Sequence, residues 1–255
     1  MNRRGFLWAG GGVLGAGALV WWQRNAIVRA ALSRRVNADV RLSAAPSPED
    51  DVCLLTAEQD EGPFFLRGPV RSDIREDRDG LPLTLRVQVV RADSCQPVPD
   101  AVVELWHCDA AGAYSGYRAD LARKPVDTLL YLGGLDTHLE PTHPGTFLRG
   151  AQATGPEGSV EFRTIFPGWY EPRVPHVHAK VFVGGTSYLT TQLYFPDDFA
   201  RDVYARHPAY APHGMSPYAL GNDLILGRYR EADGLLLRGE RTGERMVASC
   251  RLGVA

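Results

Sequence analysis

The chain has 255 residues, 44% of them hydrophobic, and its 28 Lys and Arg nearly balance its 30 Asp and Glu for a formal charge of -2. A near-neutral balance with no basic stripe argues against a nucleic-acid partner. Past its N-terminus the chain is of a size for one core, and residues 49–255 are assigned to a single domain.

The N-terminus comes first. Asn2-Arg3-Arg4-Gly5-Phe6-Leu7 is similar to a twin-arginine export signal, and a Gly/Ala-rich apolar stretch follows to Trp22. That stretch, about 17 to 18 residues, is near the lower limit for a membrane span. Residues 5–22 therefore read either as a signal, cleaved further on near Ala44-Ala45, or as a membrane anchor. Residues 1–48 are set aside from the fold, and the expected location is periplasmic or otherwise extracytoplasmic.

Beyond this leader the pattern is that of strands. Leu83, Leu85, Val87 and Val89 alternate with Thr84, Arg86 and Gln88, the period of two of a half-buried strand. Similar runs lie at 101–107, 147–153, 159–165, 176–183, 187–195 and 245–252, separated by Gly, Pro, Asp and Asn clusters. Together they predict an all-β fold, a β-sandwich with long connecting loops. One short helix is expected over 197–206, opened by Asp197 and Asp198. The segment 118–144 is too long for a plain connection and is expected to cover the mouth of a site. Its His138 and His143 read as solvated loop histidines.

Cys53, Cys95, Cys108 and Cys250 are an even set, which in an exported chain suggests two disulfides. A hairpin of 83–92 with 101–107 would put Cys95 near the turn and Cys108 at the far end, too distant to bond. The pairing then leans to Cys53–Cys108 and Cys95–Cys250.

The chemistry is concentrated in Gly168-Trp169-Tyr170-Glu171-Pro172-Arg173-Val174-Pro175-His176-Val177-His178. On a strand, His176 and His178 point to one face, while Val177, Ala179, Val181 and Val183 point to the other and form a core face. Two neutral imidazoles side by side suit a transition metal, and Tyr170 stands close enough in sequence to add an oxygen ligand. A lone His-x-His is more often a pair of surface histidines, so the rest of the chain must decide. Upstream, Glu104 and Trp106 stand on the run 101–107, which leads into the turn Gly112-Ala113-Tyr114.

These residues resemble the intradiol ring-cleavage dioxygenases. In that family a Glu-x-Trp strand leads to a Gly-x-Tyr turn, a second Gly-x-Tyr turn follows, and an Arg lies three residues before a His-x-His pair. Here Gly168-Trp169-Tyr170 supplies the second turn and Arg173 precedes His176 and His178. Gln192, in Thr191-Gln192-Leu193-Tyr194-Phe195, matches a family glutamine near the substrate, and Glu61-Gly62-Pro63-Phe64-Phe65 matches an N-terminal element. The resemblance spans 54–198 with no departure at a ligand position.

The resemblance implies Fe(3+) held by Tyr114, Tyr170, His176 and His178. It implies a small catecholic substrate and dioxygen, both of whose atoms enter the product, a cis,cis-muconate-type diacid. A hard trivalent cation favours phenolate oxygens and makes tyrosines ionise below their ordinary pKa of about 10. By the same resemblance Tyr170 is the labile ligand that takes up a proton from the catechol, and Tyr114 stays. Arg173 stabilises developing negative charge, and Gln192 hydrogen-bonds near the substrate. Two other functions compete. A catechol- or metal-binding β-sandwich carrier without turnover needs a lost ligand, and none is lost. A zinc hydrolase on His176 and His178 is disfavoured by the two Gly-x-Tyr turns, because zinc takes mainly Cys, His and carboxylate ligands. A carboxylated catechol needs a further cation, for which Arg118, Arg123 and Lys124 are candidates by position in the mouth loop alone.

Overall fold

The computed structural model describes residues 41–50, 53–117, 139–229 and 231–255. Residues 1–40, where an export signal or anchor is expected, and Arg118, Arg123, Lys124 and His138 of the segment expected to cover a site mouth, lie outside the described residues. The described strands are β1 (Arg41–Ala44), β2 (Pro82–Arg91), β3 (Val102–Trp106), β4 (Arg149–Ala153), β5 (Ser159–Ile165), β6 (His176–Val183), β7 (Thr186–Tyr194), β8 (Glu231–Leu236), β9 (Arg238–Thr242) and β10 (Arg245–Val254), with one α-helix, α1 (Asp197–Arg206). They form a six-stranded sheet in the order β1-β8-β7-β6-β3-β4 and a four-stranded sheet in the order β5-β2-β10-β9.

The core follows from the alternation. Leu83, Leu85, Val87 and Val89 of β2 share one buried cluster with Met246, Ala248, Cys250 and Leu252 of β10. The larger sheet contributes Val103 and Leu105 of β3, Val177, Ala179 and Val181 of β6, and Leu189 and Leu193 of β7. Side chains from both sheets thus meet in a single layer, the arrangement of a β-sandwich. Each fully buried aliphatic side chain contributes about 1.5–3 kcal/mol relative to exposure. Val181 and its neighbours face this core, so the opposite face of β6, bearing His176 and His178, is left for other chemistry. The helix α1 caps one side through Ala200, Val203 and Tyr204, with its two aspartates in the first turn.

Three expectations need correction. The runs 83–92 and 101–107 do not form a hairpin: β2 pairs with β5 and β10, whereas β3 pairs with β4 and β6 in the other sheet. The connection through Pro97 and Pro99 crosses from one sheet to the other. The disulfide lean fails with it, because Cys95, in the turn after β2, bonds Cys53 with a Cα–Cα distance of 5.5 Å. Cys108 and Cys250 are buried free thiols. The fold also reaches back beyond residue 49: β1 runs parallel to β8, and Ala45 is buried in the core and donates its N–H to Leu236. Among the described residues, no helix is long and apolar enough to cross a membrane.

Candidate metal centre

Register assembles the site. Across the large sheet, Gln192 of β7 pairs with His178 of β6, His178 with Trp106 of β3, and Trp106 with Arg149 of β4. One residue row therefore carries four functional side chains on one face, and Tyr194 opposite His176 begins the next. The Trp106 indole stacks on the His178 ring at 4.8 Å and 8°.

The two tyrosines arrive on loops that interlock. A Cβ at Gly112 (φ +80°) would stand 2.3 Å from the Trp169 carbonyl and 3.1 Å from Tyr170 Cβ. At Gly168 it would meet the carbonyls of Asp109 and Ala110 at 2.5 and 2.7 Å. Glycine in each Gly-x-Tyr turn thus lets one turn lie against the other. Asp109 organises the first, its carboxylate accepting the N–H groups of Ala111 and Ala113. Gly62 passes over the His178 ring, and two residues later Phe64 stacks on Tyr114 at 4.6 Å.

Four sequence-predicted donors converge. His176 Nδ1 donates to the Val174 carbonyl at 2.7 Å, which leaves Nε2 as a bare lone pair. That atom lies 3.1 Å from His178 Nε2 and 3.3 Å from the hydroxyls of both Tyr114 and Tyr170. All four side chains are buried. That lone pair faces both hydroxyls, the second imidazole nitrogen and Arg173 Nη1 at 3.4 Å, and only one proton can satisfy it. His178 Nδ1, also buried, has no hydrogen-bond partner among the described residues. A cation accepting lone pairs from all four resolves this crowding, and donors held about 2 Å from a shared first-row metal stand about 3 Å apart. The set fits a hard ion, with two phenolic oxygens among its four donors. Among the described residues, no group of three His, Cys, Asp or Glu side chains is arranged to hold a metal, so the cluster depends on its tyrosines.

Electrostatics point the same way. Burial, with the Arg173 charge, pushes both imidazoles well below the usual histidine range, so they present lone pairs. Burial also holds Tyr114 well above its ordinary value and raises Tyr170 to about 12, with the Arg173 cation opposing the rise at Tyr170. Neither phenol ionises at neutral pH without a bound cation.

Arg173 is buried beside the cluster, with Nη1 3.4 Å from His176 Nε2. Gln192 is fully engaged: Oε1 accepts from Arg173 Nη2 at 2.6 Å, and Nε2 donates to the Asp60 carbonyl at 2.8 Å. It holds the arginine rather than offering a free amide. His143 is exposed and ties its loop, with Nε2 3.0 Å from the Tyr117 carbonyl and Nδ1 accepting from Gly145. Two site residues escaped the sequence reading. Asp223 is the buried carboxylate that pairs with Arg173. Arg149 donates to the hydroxyl and carbonyl of Ser115, with its guanidinium 6.0 Å from the Tyr114 ring centroid.

Residues 61–207 match a sequence family described as Dioxygenase. Catechol 1,2-dioxygenase 1 of Acinetobacter lwoffii is 30% identical over 186 residues, covering 63% of this chain and 52% of that protein. The protocatechuate 3,4-dioxygenase beta chain of Burkholderia cepacia is 31% identical over 144 residues, covering 51% and 54%. The chain thus spans about half the length of these curated relatives. Among solved structures, an intradiol ring-cleavage dioxygenase from Tetranychus urticae superposes with a TM-score of 0.66 at 27% identity, covering 79% of this chain and 94% of that one.

Proposed function

This chain belongs to the intradiol ring-cleavage dioxygenase family, and on that footing we propose that it cleaves a catechol between its two hydroxyl-bearing carbons. Both atoms of dioxygen enter the product, a cis,cis-muconate-type diacid. The observation that carries the reading is the convergence of Tyr114, Tyr170 and His178 on the lone pair of His176 within 3.3 Å.

Those four residues would hold Fe(3+), which when bound supplies the Lewis acidity that keeps phenolic oxygens ionised and prepares the aromatic ring for dioxygen. The chain's own groups do the rest. Phe64, Trp106 and Tyr117, packed in one cluster with the two tyrosines, keep water from the centre. Once off the metal, Tyr170 lies in a buried site that disfavours its phenolate, so its Oη would take up a proton from the catechol. Arg173 presents a fixed cation where negative charge develops as the ring is attacked. Gln192 and Tyr194 accept from its Nη2 and hold it in place.

Export by the twin-arginine route, with residues 5–22 cleaved off or retained as an anchor, is part of the same proposal. It places the enzyme outside the cytoplasm, and the Cys53–Cys95 disulfide supports an oxidising destination. The test is oxygen uptake by the iron-loaded protein with catechol, protocatechuate and hydroxyquinol, and mass analysis of the products. A ring-opened diacid carrying both oxygen atoms is expected. Iron that binds catechols without turnover would replace this reading with the carrier, and stoichiometric zinc in a colourless protein would end it.

A further inference from the structure

Asp223 lies between two single-turn 3-10 segments, Leu220–Asn222 and Leu226–Arg228, outside every motif on which the site was recognised. It is fully buried and accepts from four groups. Its Oδ1 takes the N–H of Ile225 at 3.0 Å and of Leu226 at 2.8 Å, its Oδ2 takes the N–H of Val174 at 2.8 Å, and both oxygens lie 3.0 Å from Arg173 Nε. The bonds to Ile225 and Leu226 fasten the carboxylate to its own turn. The bond to Val174 fastens the chain two residues ahead of His176.

Guanidinium is planar, so two fixed nitrogens fix the third. Arg173 Nε is held by Asp223, and Nη2 by Gln192 Oε1 at 2.6 Å and the Tyr194 hydroxyl at 3.3 Å. Only Nη1 is left, and it faces the donor cluster from 3.4 Å. Tyr194 is itself held, its hydroxyl donating to Gln59 at 2.9 Å. A buried cation also needs a counter-charge nearby, and Asp223 supplies it on the side away from the cluster. We propose that Asp223 is the positioning residue that aims Arg173 at the reacting end of the site. This rests on the reaction proposed above. An ion pair that merely closed the 220–228 segment would not require Nη2 of Arg173 to be anchored as well.

The experiment is a double-mutant cycle of Asp223→Asn and Arg173→Ala in the iron-loaded full chain. A misplacement of about 1 Å can cost about a hundredfold in rate. Asp223→Asn should therefore keep iron and colour and lower kcat by about tenfold to a hundredfold, with KM changed less than about threefold. In the Arg173→Ala background the same substitution should change kcat by less than about twofold, because the group it aims is gone. Equal factors in the two backgrounds, or an unaltered kcat in Asp223→Asn, would overturn the proposal. The affinity of all four proteins for 4-nitrocatechol, read from the visible spectrum, runs the same cycle without turnover. If no catechol is oxidised, the reaction proposal fails, while coupling or additivity in that affinity still decides the role of Asp223. Should Asp223→Asn not retain iron, Asp223→Glu, which keeps the charge but moves it by one methylene, replaces it in the cycle with the same two deciding outcomes.

Discussion

Substituting Gly112 by alanine separates two penalties that usually come together. At φ +80° an L-residue costs about 1–2 kcal/mol in backbone strain alone. Gly185 has nearly the same conformation, φ +83°, with nothing within 4 Å of an added Cβ, so Gly185→Ala pays strain and nothing else. At about 2–4 °C per kcal/mol for a domain of this size, its Tm should fall by roughly 2–8 °C with iron and rate unaltered. At Gly112 the new methyl would sit 2.3 Å from the Trp169 carbonyl, where ordinary contact begins at 3.4 Å. The two tyrosine-bearing turns must therefore separate by about 1 Å, the scale at which a site loses about a hundredfold in rate. Gly112→Ala should lose at least twice the Tm of Gly185→Ala, weaken the tyrosinate-to-iron absorption and lose most oxygen uptake. The assays are thermal unfolding by circular dichroism, iron content, the visible spectrum and oxygen consumption. Equal effects of the two substitutions, or full activity in Gly112→Ala, would refute the interlocking of the turns as the reason for glycine there.

Other expectations follow from the same geometry. Tyr114→Phe and Tyr170→Phe should each shift or weaken the visible band, while Tyr117→Phe, whose hydroxyl bonds the Leu139 carbonyl at 3.2 Å, should leave it in place. Arg173→Ala should keep iron and colour and lose about a hundred- to a thousandfold in kcat, roughly 3 to 4 kcal/mol, whereas His176→Ala should lose the metal. His107 is fully buried, and burial lowers its pKa to about 4. The unfolded chain thus binds a proton near pH 6.5 that the folded one refuses, so stability should fall between pH 6.5 and 4 by about 3 kcal/mol through this group. Denaturant titrations of the wild type and His107→Gln across that range should show the difference, and parallel profiles would refute it. Replacing Arg3 and Arg4 by Lys should leave the folded, iron-loaded protein in the cytoplasm on fractionation, because twin arginines are read by a receptor.

Strands with alternating apolar residues were legible to the residue, as at Ser159–Ile165 and His176–Val183, and so was α1. In each, the apolar positions fall on the core side, although in β6 the histidine face is buried as well. The strand β9, Arg-Gly-Glu-Arg-Thr, has no apolar alternation and is mostly exposed, and β8 carries Asp-Gly at its centre. Both owe their form to backbone pairing, which leaves no hydrophobic signature. The convergence of Tyr114, Tyr170, His176 and His178 could be anticipated because each sits in a short motif. Asp223 could not, since its partner Arg173 is 50 residues away and only the folded chain brings them together. Arg149 likewise acquires meaning from its register with Trp106. The cysteine pairing failed for a related reason: it depended on which strands are neighbours, and a local hairpin was assumed where the chain changes sheets.

The parallel pairing of β2 with β10 joins Leu83 to Met246 and runs on to Arg91 and Val254. The strand made last among these sits inside the smaller sheet, between the first of its partners and β9. Ribosomes add about 5–20 residues per second, so many seconds separate the synthesis of β2 from that of its mate. During that interval the apolar faces of β2, β3 and β6 lack the wall that Ala248, Cys250 and Leu252 provide. Pairings this distant in sequence make for slow folding. Closure of the sandwich thus waits for β10, and until that strand emerges the earlier strands must be kept from sticking to other chains.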